Sequence, residues 1–196
     1  WRPINRDHRK LLILDDDAGG LGGLNIGMQY AGSWVTKAEC PECDLWRDNA
    51  IGMVGPSVRH LVQAFANCWR HINHGGRARR AEYFHPMDDG DFGLLASVPS
   101  VHSQFQRRLG NLINGAKESI EMTMAYFAPP DDLIEALCKA AARGVRVRLM
   151  PPGRCDVAIL VTAARSFYEL LMHAGVEIYE RQTVVLHAKT ICVDQE

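Results

Sequence analysis

The pattern His-x-Lys-x4-Asp occurs twice in this chain, as His8, Lys10 and Asp15 and again as His187, Lys189 and Asp194. Each copy runs through an apolar stretch, KLLILD in the first and KTICVD in the second, as a strand that ends in a turn does. Residues i and i+2 of a strand share a face. The spacing therefore predicts that His8 and Lys10 project together, and His187 and Lys189 likewise. Asp15 and Asp194 stand at odd parity from their histidines and are expected on the other face, in a supporting role paired with backbone or cations. A pattern repeated at one constant offset implies a duplicated half-fold, so the chain must build two matching strands.

The sequence between the motifs alternates strand and helix signals. Residues 9–14 read as a strand, 19–27 as a Gly-rich strand or tight loop, and 45–54 as a further strand. After Gly55-Pro56, apolar residues at Val58, Leu61, Val62, Phe65, Trp69 and Ile72 recur at helical spacing. The polar, Gly-punctuated stretch 74–91 reads as a linker, followed by a strand at 92–98 and a helix at 101–116. A strand at 119–126 leads to a helix capped by Asp131 or Asp132 and stopped at Arg143-Gly144. A strand at 145–150, one helix over 158–173 and strands at 176–179 and 184–193 complete the order. This is an α/β/α sandwich, a mixed sheet flanked by helices, in two pseudo-symmetric halves. Residues 1–91 are expected to hold the C-terminal part of the first half with its linker. Residues 92–196 are expected to hold the N-terminal part of the second, ending at its motif. Both halves are thus expected to be incomplete: the chain opens on Trp1-Arg2-Pro3 without Met and closes on Glu196 within a strand and turn, as a fragment would.

Two imidazoles and two ammonium groups brought to one pocket suit phosphodiester chemistry without metal or cofactor. One histidine attacks phosphorus to form a phosphohistidine; the other protonates the leaving oxygen and then deprotonates the incoming water or alcohol. The lysines place fixed positive charge where the phosphoryl oxygens gather negative charge. The net charge of −1 speaks against nucleic acid as the partner, and the cluster Arg77, Arg79 and Arg80 reads as a solvated loop. No run approaches the roughly 20 apolar residues that span a bilayer. Of six cysteines, Cys40 and Cys43 form a CxxC that could be drawn with Cys68 and His71 as a zinc site. The spacing is permissive only, and no metal is expected. Cys68, Cys138, Cys155 and Cys192 read as reduced core thiols.

The flanks of both motifs resemble the phospholipase D superfamily, with the nearer match in bacterial cardiolipin synthase-like members. Gly22-Gly23-Leu24-Asn25-Ile26-Gly27 resembles that family's GGxNIG, and Trp46-Arg47-Asp48 with Gly55-Pro56-Ser57-Val58 its WRD…GPAV segment. Tyr126-Phe127-Ala128-Pro129, Arg143-Gly144-Val145, Gly175-Val176-Glu177-Ile178-Tyr179 and Leu186-His187-Ala188-Lys189 follow in the family's order. The resemblance implies that Asn25 donates to phosphate in the pocket and that Asp48, from the neighbouring strand, orients His8. The carboxylate for His187 would then lie beyond Glu196. It implies a phosphatidyltransferase of cardiolipin synthase type, joining two phosphatidylglycerols into cardiolipin and glycerol. His8 would be the nucleophile and His187 the acid/base, or the reverse. A phospholipid substrate, a membrane surface as partner and a membrane-associated parent protein are implied with it. The rival readings are a hydrolase or nuclease of the same superfamily, a non-catalytic lipid- or protein-binding member, and a zinc-stabilised module. Head group, acceptor and oligomeric state stay open.

Overall fold

A computed structural model of the chain describes residues 8–30, 45–73, 87–88, 92–95 and 104–194. Cys40, Cys43, the Arg77–Arg80 cluster and most of the 74–91 linker lie outside the described residues, as does the side chain of His71. The chain folds into two compact units that interleave along the sequence. One takes Trp1–Gly22 and Ala50–Arg107; the other takes Gly23–Asn49 and Arg108–Glu196.

The first unit is built on three antiparallel strands, β1 (Leu11–Leu14), β2 (Ala18–Gly22) and β3 (Ala50–Val54), in that order. The strand expected over 45–54 is realised only in its second part, β3. Helix α1 (Val58–Asn73) lies on this sheet with Val58 and Leu61 fully buried. Its closeness depends on Gly19: a Cβ there would stand 2.9 Å from the Leu12 carbonyl oxygen and 3.0 Å from the Leu61 side chain. The helix begins after Gly55, whose φ of +93° is open to glycine at no steric cost. Strands β4 (Met87–Asp88) and β5 (Gly93–Leu94) form a small antiparallel pair; of the strand expected over 92–98, residues 96–98 lie outside the described residues.

The second unit carries a four-stranded mixed sheet in the order β8 (Glu177–Ile178), β7 (Arg146–Met150), β6 (Ser119–Met124), β9 (Lys189–Val193). The first three run parallel, and β9 pairs antiparallel to β6. Alternation along the strands sends Ile120, Met122, Val147 and Leu149 to one face. There they meet Ile113 of α2 (Gln104–Gly115), Leu137 of α3 (Asp131–Ala142), Ala164 of α4 (Ala158–Arg165) and Leu171 of α5 (Tyr168–His173). The opposite face is polar; Glu121 and Arg148, neighbours in register, form an ion pair on it. Cys192 is opposite Glu121 on that same face and is exposed. It is therefore no core thiol, because its parity along β9 sends it away from the helices.

Two local expectations differ from what forms. Helix α3 is N-capped by Pro130 with no side-chain cap. Asp131 and Asp132 sit inside its first turn, where carboxylates favour the positive end of the helix dipole. The single helix expected over 158–173 breaks into α4 and α5. Ser166 Oγ donates to the Ala163 carbonyl at 2.7 Å, and the next N–H groups bond three residues back, so the turn tightens there. The stop at Arg143-Gly144 forms as expected, with Gly144 at φ +91° and Val145 N–H closing on the Ala140 carbonyl. Leu137 is fully enclosed in this core. Leu137→Ala is expected to cost about 2–5 kcal/mol of unfolding free energy, measured by urea titration at unchanged m-value.

Candidate active site

In both motifs the histidine precedes its strand: β1 starts at Leu11, just after Lys10, and β9 starts at Lys189 itself. The local geometry nevertheless repeats. Lys10 Nζ donates to the carbonyl of His8 at 2.7 Å, and Lys189 Nζ to the carbonyl of His187 at 2.5 Å. Both motif aspartates close their strands in the left-handed region, Asp15 at φ 51° and Asp194 at φ 57°, a conformation Asp tolerates better than most residues.

The second unit assembles a site around His187. Residues 45–49 leave strand geometry and run beside residues 185–188 instead. Arg47 N–H donates to Val185 O at 2.9 Å, and Arg47 O accepts from the N–H groups of His187 and Ala188 at 2.8 and 3.1 Å. This pairing sets Asp48 against His187, whose Nδ1–H donates to Asp48 Oδ2 at 2.6 Å. The Asp48 side chain is fully buried and that of His187 is 13% exposed. Asp48 Oδ1 accepts from the Asn49 N–H at 2.8 Å, so both carboxylate oxygens are engaged. Asp48, expected to orient His8, instead serves His187. The carboxylate sought beyond Glu196 is already in the chain, because the 45–49 segment departs from β3 before Ala50.

With Nδ1 giving its hydrogen to Asp48, Nε2 of His187 presents a lone pair. Lys189 Nζ stands 3.0 Å from each of the two ring nitrogens, beside the imidazole. Three aromatic rings surround the imidazole: Trp46 at 5.3 Å, Tyr30 at 5.8 Å and Tyr126 at 5.8 Å between centroids. Trp46 and Asp48, two residues apart, both face the histidine. Tyr30 comes from a single 3-10 turn, Met28–Tyr30, and its hydroxyl stands 3.4 Å from His187 Nδ1. Asn25, expected to donate to phosphate, donates through Nδ2 to Tyr30 Oη at 2.8 Å. It is at the site, one hydrogen bond removed from the imidazole. Burial is the main reason the Tyr30 hydroxyl titrates above its ordinary range. The aromatic collar was not anticipated as part of the site. The i, i+2 rule that pairs His with Lys would have paired Trp46 with Asp48.

The sequence reading gives Asp194 a supporting role, and the carboxylate accepts three backbone N–H groups, from Lys117, Glu118 and Ser119, at 2.8 to 3.1 Å. These bonds, that of Glu118 foremost, hold its carboxyl below the usual range. Lys117–Ser119 lead into β6, so Asp194 fastens the end of β9 to the start of its partner. Among the described residues, no group of three or more His, Cys, Asp or Glu side chains is arranged to hold a metal ion.

Residues 109–196 match the family described as cardiolipin synthase, PLD-like domain. The cardiolipin synthase of Halalkalibacterium halodurans is 36% identical over 97% of this chain and 38% of its own length. That of Geobacillus thermodenitrificans is 38% identical with the same coverage. The chain thus spans little more than a third of the length of these relatives. The crystal structure of phosphatidylserine synthase from Haemophilus influenzae Rd KW20 superposes with a TM-score of 0.64. It covers 95% of this chain and 51% of that one at 14% identity, a likeness of fold. In sequence the chain is similar to the cardiolipin synthases over nearly its whole length, and its second part matches their PLD-like domain.

Gly23 is the tightest point of the site: a Cβ there would fall 2.3 Å from Asp48 Oδ1. Gly23→Ala is expected to push Asp48 off His187 and to remove the low-field Nδ1–H proton resonance of that histidine, with the far-ultraviolet circular dichroism unchanged. Asp194 gives a pH signature of opposite origin. A carboxyl with a lowered folded pKa stabilises above its ordinary pKa, and that stabilisation fades as pH falls through the lowered value. Asp194→Asn should therefore flatten the loss of stability below about pH 4, as followed by urea unfolding at a series of pH values.

Proposed function

We propose that the chain is a catalytic part of a phosphatidyltransferase of cardiolipin synthase type, working through a phosphohistidine on phospholipids at a membrane surface. The observation that carries this reading is the Asp48–His187–Lys189 constellation, in a chain whose other motif repeats the same Lys-to-His backbone bond. An imidazole fixed at Nδ1 by a buried carboxylate has its Nε2 aimed and free to exchange a proton. Asp48 balances the positive charge that His187 carries whenever it holds a second proton, which suits the acid/base partner. His8 is then the nucleophile, and Lys10 and Lys189 steady the phosphoryl oxygens.

In the first half-reaction a His8 ring nitrogen bonds to phosphorus as the phosphorus–oxygen bond to the leaving glycerol breaks. His187 gives that oxygen its proton. In the second, His187 takes the proton of an incoming alcohol, whose oxygen displaces His8 from phosphorus. With two phosphatidylglycerols the products are cardiolipin and glycerol, and no metal or cofactor takes part. No helix among the described residues is long and apolar enough to cross a membrane.

The test uses phosphatidylglycerol vesicles labelled at phosphorus, with base quenching to preserve phosphohistidine. The chain is expected to retain label. His8→Asn should abolish it, and His187→Asn should slow transfer by about a hundred- to ten-thousand-fold. Label that survives His8→Asn would reverse the two roles. Phosphatidic acid as the sole product would make the enzyme a hydrolase.

A further inference from the structure

A second carboxylate stands at this site with no part in the chemistry above. Asp156 lies in the loop between β7 and α4, which is fastened by Gly153 N–H to Arg181 O at 2.9 Å and Arg181 N–H to Pro151 O at 3.1 Å. Tyr126, just past β6, donates its hydroxyl to both Asp156 oxygens at 3.0 and 3.2 Å. The Cys155 thiol donates to Oδ1 at 3.1 Å, and the Val157 N–H in turn donates to the Cys155 sulfur at 3.3 Å. Tyr126 is the ring that meets His187 edge-on. The carboxylate is therefore one side chain away from the acid/base histidine, and it is open to solvent. Burial alone would push the Asp156 carboxyl up; the bonds from Cys155 and Tyr126 outweigh it and hold the group below its usual range, in the anionic form.

A fixed anion beside a phosphoryl-transfer site repels phosphate and attracts hydroxyls or ammonium groups. An ammonium would also seek the face of Tyr126, but Lys189 Nζ already stands there, 5.7 Å from the ring centroid. What remains is the set of Asp156 lone pairs not used by Tyr126 and Cys155. Those accept hydrogens from hydroxyls.

We infer that Asp156, held by Tyr126 and Cys155, is the subsite that recognises the free hydroxyls of a polyol head group attached to the reacting phosphate. It is a specificity residue rather than a catalytic one. The inference deepens the phosphatidyl-transfer reading and rests on it for the identity of the phosphate site. Its consequence is selection of glycerol-type head groups over plain alkyl and amino-alkyl ones.

The test is binding, with no turnover needed. Glycerol 1-phosphate, propyl phosphate and phosphoethanolamine are titrated into the chain while the His187 and Lys189 resonances are followed. Glycerol phosphate is expected to bind about tenfold more tightly than propyl phosphate, the scale of one charge-assisted hydrogen bond at an open site. Asp156→Ala should bring that ratio to about one with propyl phosphate affinity kept or raised. Tyr126→Phe, which leaves the carboxylate but frees it to swing, should reduce the ratio in part. A preference that survives Asp156→Ala overturns the subsite, as does a wild-type chain with no preference or no binding. So does a stronger, Asp156-dependent preference for phosphoethanolamine. Selective binding in a chain that forms no phosphohistidine would keep the subsite and remove the transferase reading; the reverse result would remove the subsite alone.

Discussion

The peptide group of Arg47 holds the second unit's chemistry in place. Its N–H and carbonyl are taken up by Val185, His187 and Ala188, and everything else at the site follows from that short parallel contact. Once residues 45–49 lie beside 185–188, Trp46 and Asp48 are delivered to the same histidine from one side of the backbone. The Gln29 carbonyl then accepts from the Trp46 N–H at 2.7 Å, and the Asn49 carbonyl from the Gly23 N–H at 3.1 Å. Tyr30 and Asn25 are brought in by those two bonds. A side-chain dyad in which one partner is fully buried needs such support, because a buried carboxylate left without its donor is strongly destabilising.

Much of this was legible in the residues, and the part that was not has a definite cause. The strands and helices of the second unit follow period-2 and period-3.6 patterns that local sequence records: β6, α3 and β7 stand within a residue or two of where alternation and the Arg143-Gly144 stop place them. The histidines and lysines were legible because a repeated pattern is a long-range signal carried by the chain itself. The partner of Asp48 was not. Residues 45–54 look like one strand by composition, and the change of direction before Ala50 arises from backbone bonds to residues far away in sequence. Asp156 was hidden for a different reason. It has no motif around it, and its relevance depends on a loop whose course is set by contacts with Arg181.

The two carboxylates near His187 illustrate how environment divides labour between like groups. Asp48 is enclosed, has both oxygens occupied and is limited to holding the imidazole. Asp156 is anchored from beneath by a phenol and a thiol and keeps part of its surface in water. Only the second is in a position to meet a solute. Glycine takes part in this division as well. Gly19 removes side-chain bulk so that α1 can approach β2, while Gly23 removes it so that Asp48 can reach the imidazole. One omission serves packing and the other serves chemistry.

The Asp48–His187 bond joins residues 139 positions apart. In a chain made from its N-terminus Asp48 precedes its partner, and the carboxylate meets its imidazole only once His187 and the strand bearing Lys189 have been made. The closure entropy of so long a loop exceeds that of a loop half its length by only about 0.6 kcal/mol, so the delay is a matter of timing rather than of equilibrium. A nascent chain halted short of β9 has every other element of the sheet, but it lacks the imidazole, its lysine and the Asp194 fastening together. Assembly of this histidine centre therefore waits on residues made long after Asp48, and a chain that lacks His187 carries no half-formed version of it.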